Sequence, residues 1–175
     1  ENQLLNDMST NEMQHLIDDF VTAARLSKAS GCDGIELHGA HGYFLNMLLS
    51  EEYNHRKDAY GGSLENRLRF ISEVIDKISI FSDDNFIISY RMGWSDSAET
   101  DIQIATALEK MGVNLLHISF GLRSTRIFDL PESYPYNKTV YAGTLLKKLL
   151  KIPIIVVDDI QTLSRGNQLL ENNLS

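Results

Sequence analysis

The chain has little of what marks a secreted, membrane-spanning or nucleic-acid-binding protein. Its 175 residues include one cysteine, so no disulfide can form within the chain, which fits a reducing, cytoplasmic setting. No apolar run approaches the roughly 20 residues that span a bilayer, and the first residues lack the basic and apolar regions of a secretory signal. A formal net charge of −8 argues against nucleic acid or an anionic membrane surface as a partner.

Helical and strand patterns alternate along the whole chain. A hydrophobic content of 43% is enough for one domain with a core. Short, nearly all-apolar runs separated by amphipathic helices are typical of a parallel sheet buried on both faces, which predicts an α/β fold. The predicted strands are 34–38, 86–91, 115–119 and 152–157.

Capping residues predict where several helices begin and end. Ser9 and Glu12 form a capping-box pattern that opens a helix ended by Gly31. Further helices are predicted over 64–78, over 102–111 before Gly112, over 139–150 and over 161–172, and a long loop is predicted at about 45–63.

Two histidines and a tyrosine follow the first predicted strand. His38, His41 and Tyr43 stand among small residues at a strand end, where α/β proteins bind ligands. Imidazoles can donate hydrogen bonds to a polarised oxygen, and a phenol can deliver a proton. The same residues also allow two structural histidines in a loop, or a metal site in which Glu36 shares the face of His38.

A second distinctive run spans residues 58–67. Tyr60 and the two glycines after it suit a tight turn, and Ser63 can cap the helix that follows. Asn66 and Arg67 then lie in the first helical turn. We interpret this run as a structural clasp rather than as catalytic machinery.

The runs at 34–43 and 58–67 together resemble the Old Yellow Enzyme family of flavin-dependent ene-reductases. The resemblance implies an incomplete TIM (β/α)8 barrel with about four parallel strands alternating with helices. Residues 1–175 would form a single partial domain covering roughly barrel strands four to seven, without the N-terminal strands and the last strand. The absence of an initiator methionine likewise suggests a piece of a longer chain.

The resemblance also implies an activity: reduction of activated alkenes or related electron-poor small molecules. His38 and His41 would bind the substrate oxygen, and Tyr43 would protonate the carbon alpha to it. The cofactor would be FMN, with NADH or NADPH as the reductant and no metal. Arg91 would lie against the N1 and O2 edge of the flavin, and two further residues would approach its ribityl chain or phosphate, namely Ser119 and Gly121.

One departure from the family pattern favours an alternative. Relatives usually carry Gly-Gly after the seventh strand, where backbone N–H groups approach the FMN phosphate, whereas this chain has Asp158 and Asp159. Two carboxylates repel a phosphate. The chain could therefore be a non-catalytic partial barrel that binds no flavin alone and acts within an assembly, as a homo-oligomer or through its open barrel edges. A metal-dependent hydrolase using His38 and His41 is a third hypothesis.

Overall fold

A computed structural model describes residues 2–94, 96–119, 129–158 and 160–171. Helices and strands alternate, as the sequence predicts. The elements in chain order are α1 (Asn2–Asp7), α2 (Thr10–Ala29), β1 (Gly34–Gly39), α3 (Phe44–Leu49), α4 (Leu64–Ser79), β2 (Ile87–Met92), α5 (Ala98–Lys110), β3 (Leu115–Ile118), α6 (Lys138–Lys147), β4 (Ile154–Val156) and α7 (Leu163–Glu171).

The four strands form one parallel sheet in the order β1-β2-β3-β4. Each strand therefore pairs with the next one along the chain, and helices connect consecutive strands. The α/β prediction is confirmed. The register places His38 opposite Arg91, Arg91 opposite His117, and His117 opposite Ile155.

The two faces of the sheet differ in chemistry. Side chains alternate along a strand, so residues two apart share a face. One face is apolar and packs in the main core with residues of α2, α4 and α5, and its members include Leu37, Ile88, Tyr90, Leu116 and Ile118. The other, which we call the inner face, carries Glu36, His38, Ser89, Arg91 and His117.

Local capping explains the helix boundaries. Ser9 and Glu12 form the predicted capping box at the start of α2, and Ser63 accepts a hydrogen bond from the Asn66 backbone at the start of α4. Gly31 and Gly112, which follow α2 and α5, have φ values of +86° and +100°. This left-handed conformation favours glycine after a helix.

The predicted loop at 45–63 needs a correction, because its first part is helical. Helix α3 spans Phe44–Leu49, and all of its residues after Phe44 are buried. The run 58–67, which we interpret as a clasp, ties the rest of this loop to α4 through Arg67. Arg67 is 2% exposed and donates hydrogen bonds to the carbonyl oxygens of Leu49 (2.7 Å) and Gly62 (2.6 Å), and it also binds the Glu51 carboxylate (3.0 Å).

Within the described residues, β1 and β4 each pair with one strand only. A groove of about 550 Å³ lies between β4 and α7, and it is lined by residues that include Ile154, Val156, Leu163 and Leu169. Among the residues that the structure describes, no helix combines the length and apolar composition of a membrane span.

Candidate active site

A tight turn after β1 places the candidate site residues. His41 and Gly42 both have positive φ, at +62° and +74°. A residue other than glycine is uncommon in the left-handed region, and such conformations cluster at functional sites. The Gly42 N–H donates to the side chain of Asn46 (3.0 Å), and Tyr43 occupies the N-cap position of α3. The turn therefore ends β1 and leads directly into α3, which begins at Phe44.

The structure brings the three predicted side chains together. The ring centroids of His38 and His41 are 5.0 Å apart, and those of His38 and Tyr43 are 5.3 Å apart. His38 is half-buried, whereas His41 and Tyr43 are exposed, Tyr43 at 59%. Two imidazoles and a phenol thus form one accessible cluster of donors at the carboxyl end of β1.

Arg91 and Ser119 join this cluster from the neighbouring strands. Nη2 of Arg91 donates to Oγ of Ser119 (3.1 Å), and the same oxygen lies 2.8 Å from Nε2 of His41. Ser119 is 3% exposed, so this hydroxyl is a buried bridge between a cation and an imidazole. Five sequence-predicted residues therefore meet at the carboxyl ends of β1, β2 and β3.

The electrostatics of the cluster favour neutral imidazoles. Burial lowers the pKa of His38 below its ordinary value of 6.5, the Arg91 cation lowers it further, and Glu36 opposes the change. Burial, Arg91 and His38 likewise lower the pKa of His41. Each ring then has one N–H donor and one acceptor nitrogen at neutral pH.

The remaining predicted residues lie at the end of β4 or outside the described residues. Gly121 and Asp159 are outside them. Asp158 is exposed and has a φ of +80°, the left-handed conformation that glycine adopts most readily. The described part of the chain contains no group of three or more His, Cys, Asp or Glu side chains placed to hold a metal ion.

Sequence reasoning missed two contributions to this region. A small cavity of about 180 Å³ adjoins Tyr43, and Leu4 and Leu5 of α1 help to line it. Helix α1 has six residues, too few to show a periodic pattern. The second contribution is His117, which lies next to Arg91 across the sheet and binds the Glu36 carboxylate. Strand pairing creates that contact. The one related signal in the sequence is that Glu36 and His38, two residues apart on a strand, share a face.

Comparison with known proteins finds relatives that match most of the chain. The family described as the NADH:flavin oxidoreductase / NADH oxidase family matches residues 1–174. The chain is 37% identical over 162 residues to an NADH oxidase of Thermoanaerobacter brockii, covering 89% of this chain and 25% of that protein. It is 33% identical over 150 residues to a putative 12-oxophytodienoate reductase 11 of Oryza sativa subsp. japonica, covering 79% of this chain and 41% of that protein.

A similar fold is found among solved structures. The Old Yellow Enzyme homologue from Zymomonas mobilis superposes with a TM-score of 0.72 at 23% identity, covering 96% of this chain and 47% of that chain. The fold is therefore that of part of a TIM barrel of the Old Yellow Enzyme type, as predicted. The chain spans about a quarter to two fifths of the length of the two curated relatives.

Proposed function

Because the chain belongs to the NADH:flavin oxidoreductase / NADH oxidase family, we propose that it provides the substrate-oxygen side of an FMN-dependent active site that reduces activated alkenes with NADH or NADPH. The observation that carries the proposal is the cluster in which the ring centroid of His38 lies 5.0 Å from that of His41 and 5.3 Å from that of Tyr43, with Arg91 opposite His38 in the sheet. Hydrogen-bond donors and a proton source are the groups that such a reduction needs.

The donor set of the chain suits the ring system of FMN. Arg91 lies on the inner face, and its buried Nε has no hydrogen-bond partner among the described residues. A buried donor on a cation suits the N1 and O2 edge of a flavin, where negative charge accumulates on reduction. Asp158 does not suit the phosphate, because a carboxylate repels it. The chain would thus hold the ring through Arg91 and leave the phosphate to other groups.

The imidazoles would bind and polarise the substrate oxygen. FMN, when bound, supplies the hydride, which adds at the carbon β to the activating carbonyl or nitro group. Negative charge then develops on the substrate oxygen, and donors already aimed at that oxygen lower the barrier. His38 and His41, as neutral rings, each provide one N–H for this purpose.

Tyr43 would complete the reaction by protonating the alpha carbon. Its phenol is exposed at the start of α3, with its ring centroid 5.3 Å from that of His38. The alkene gains a hydride at the β carbon and a proton at the alpha carbon, while NADH or NADPH is oxidised to the corresponding cation. The substrate class is therefore an electron-poor alkene whose activating group carries an oxygen acceptor.

The first test is whether the protein retains flavin. We expect the protein incubated with FMN and then freed of unbound flavin to keep the visible absorption bands of the cofactor. Addition of NADH or NADPH without oxygen should bleach these bands, and 2-cyclohexenone should restore them. A protein that retains no flavin would instead support the alternative of a partial barrel that is inactive alone. Retained flavin that the enone does not reoxidise would contradict alkene reduction.

A further inference from the structure

The inner face of the sheet carries a second polar cluster, which begins one row before the candidate substrate-oxygen site along the strands and whose Glu36 side chain is 36% exposed. The register pairs Glu36 with Ser89, His38 with Arg91, and Arg91 with His117. His38, Arg91 and His117 thus form one row across three strands. Glu36 and Ser89 form the preceding row, two residues earlier along β1 and β2. Among the described strand residues on the inner face, Glu36 is the one carboxylate.

The Glu36 carboxylate joins the two rows. It accepts a hydrogen bond from Oγ of Ser89 at 3.1 Å, and its two oxygens lie 3.1 and 3.3 Å from Nδ1 of His117. An ionised carboxylate has acceptors only, so Nδ1 of His117 must carry the proton. The His117 side chain is only 14% exposed, so this contact fixes both the orientation of the ring and the position of its proton.

Two buried nitrogens nearby have no hydrogen-bond partner among the described residues, namely Nε2 of His117 and Nε of Arg91. These residues are cross-strand neighbours. When Nδ1 carries the proton of a neutral ring, Nε2 is an acceptor and Nε–H of Arg91 is a donor, so the two are complementary. In the other neutral tautomer both would be donors, and a lone pair would face the carboxylate of Glu36.

We propose that Glu36 is a positioning residue that acts through His117 on Arg91. By holding Nδ1–H of His117, it keeps Nε2 as a lone pair, rather than a second donor, beside the cross-strand neighbour Arg91. That lone pair favours the cation electrostatically, and Nε–H of Arg91, which has no hydrogen-bond partner among the described residues, stays available for the flavin edge. This inference rests on the proposed function, because the role of Arg91 toward the flavin belongs to it. Its structural part, the tautomer of His117, can be measured without any flavin.

The charge of Glu36 also reaches the substrate-oxygen site. Burial and the Arg91 cation lower the pKa of His38, Glu36 counteracts them by raising it, and His117 lowers it. The pKa of His41 is lowered by burial, by Arg91, by His38 and by His117. Removal of the Glu36 charge should therefore lower the pKa of His38 further.

Nitrogen-15 NMR of the imidazoles tests the structural part in the flavin-free protein. We expect wild-type His117 to show a protonated Nδ1 and an unprotonated Nε2, and Glu36→Leu to lose this preference while the His38 pKa falls. Glu36→Gln keeps an acceptor oxygen but removes the charge, so it should retain the tautomer and still lower the His38 pKa. Glu65→Gln, whose side chain is 88% exposed on α4, is the matched control and should change neither. A wild-type ring protonated on Nε2 alone would overturn the inference.

Affinity for FMN tests the effect on Arg91. Loss of a hydrogen-bonded arrangement beside a charged group predicts that Glu36→Leu weakens FMN binding by about tenfold, whereas Glu36→Gln stays within about threefold of wild type. In a His117→Phe background, Glu36→Leu should cause no further loss, because its effect passes through His117. Equal weakening in both backgrounds, or wild-type affinity of a folded Glu36→Leu variant, would overturn it.

The two proposals fail in different ways. If the wild-type protein binds no FMN, the proposed function fails, and the NMR experiment still decides whether Glu36 controls His117. If the wild type binds FMN and Glu36→Leu does not fold, the wild-type tautomer and the Glu36→Gln variant decide. A wild-type Nδ1–H that persists in Glu36→Gln, together with near wild-type FMN affinity, supports the positioning role; loss of that tautomer in Glu36→Gln contradicts it.

Discussion

Nε2 of His41 lies 2.8 Å from Oγ of Ser119, which also accepts a hydrogen bond from Nη2 of Arg91 at 3.1 Å. A hydroxyl has one proton and two lone pairs, so Ser119 can accept from Arg91 and donate to His41 at the same time. In that arrangement Nδ1 of His41 carries the ring proton and is the donor available to a substrate oxygen. Ser119 therefore links the Arg91 guanidinium to the His41 imidazole.

The Ser119→Ala substitution should uncouple these groups. The Arg91 guanidinium would lose a buried acceptor, and the His41 ring would lose the contact that orients it. We expect the free energy of unfolding to fall by roughly 1–3 kcal/mol, and KM for an enone to rise more than kcat falls. Chemical denaturation and steady-state kinetics measure the two effects. Ser119→Thr keeps the hydroxyl and should lie closer to wild type; equal damage from both variants would argue against the bridge.

The Arg91→Gln substitution should raise the pKa of both His38 and His41, because it removes a cation that lowers them. Glutamine retains a donor for Ser119, so the change is mainly one of charge. Titration by NMR measures the shift. Arg25→Gln, on the exposed surface of α2, is the control and should leave both titrations unchanged.

The same lowered pKa values predict how stability depends on pH. Because the folded-state pKa values of His38 and His41 lie below 6.5, the unfolded chain binds more protons between those values and 6.5. The free energy of unfolding contributed by these groups is present above that window and is lost as pH falls through it. Arg91→Gln should weaken this dependence of the free energy of unfolding on pH. Chemical denaturation of both proteins across the window measures it, and a stronger dependence in Arg91→Gln than in the wild type would contradict the prediction.

The Arg67→Met substitution tests the clasp. It would leave the carbonyl oxygens of Leu49 and Gly62 without their donor, and we expect a loss of roughly 2–4 kcal/mol in the free energy of unfolding. Arg69→Met is the control, since that side chain is 38% exposed and both its ion pair with Glu65 and its hydrogen bond to the Ala59 carbonyl lie at the surface, so it should cost about 1 kcal/mol or less. Similar losses from both variants would contradict a special role for Arg67.

Local signals explain what the sequence could predict. Capping by Ser9 and Ser63 and the left-handed glycines at 31 and 112 act within a few residues, so the helix ends could be read directly. Apolar runs likewise located all four strands within a few residues. The short helices α1 and α3 were missed because each has six residues, and α3 is buried on nearly every side, so neither shows helical periodicity.

The candidate site was predictable only in part. The strand-end motif and the family resemblance pointed to His38, His41, Tyr43, Arg91 and Ser119 as candidates, and the structure places these residues together. Their hydrogen bonds could not be predicted, because His41 and Ser119 are 78 residues apart in sequence and Glu36 and His117 are 81 apart. Such contacts depend on strand register, which the local sequence of short strands does not fix.

The central claim is that Tyr43 protonates a substrate that His38 and His41 hold. Rapid-mixing measurement of the two half-reactions of the FMN-loaded Tyr43→Phe variant tests it most directly. We expect the flavin to be reduced by NADH or NADPH at nearly the wild-type rate, and its reoxidation by 2-cyclohexenone to slow by roughly 10²–10⁴-fold, the usual contribution of a general acid. Equal slowing of both half-reactions, or wild-type reoxidation, would contradict the account.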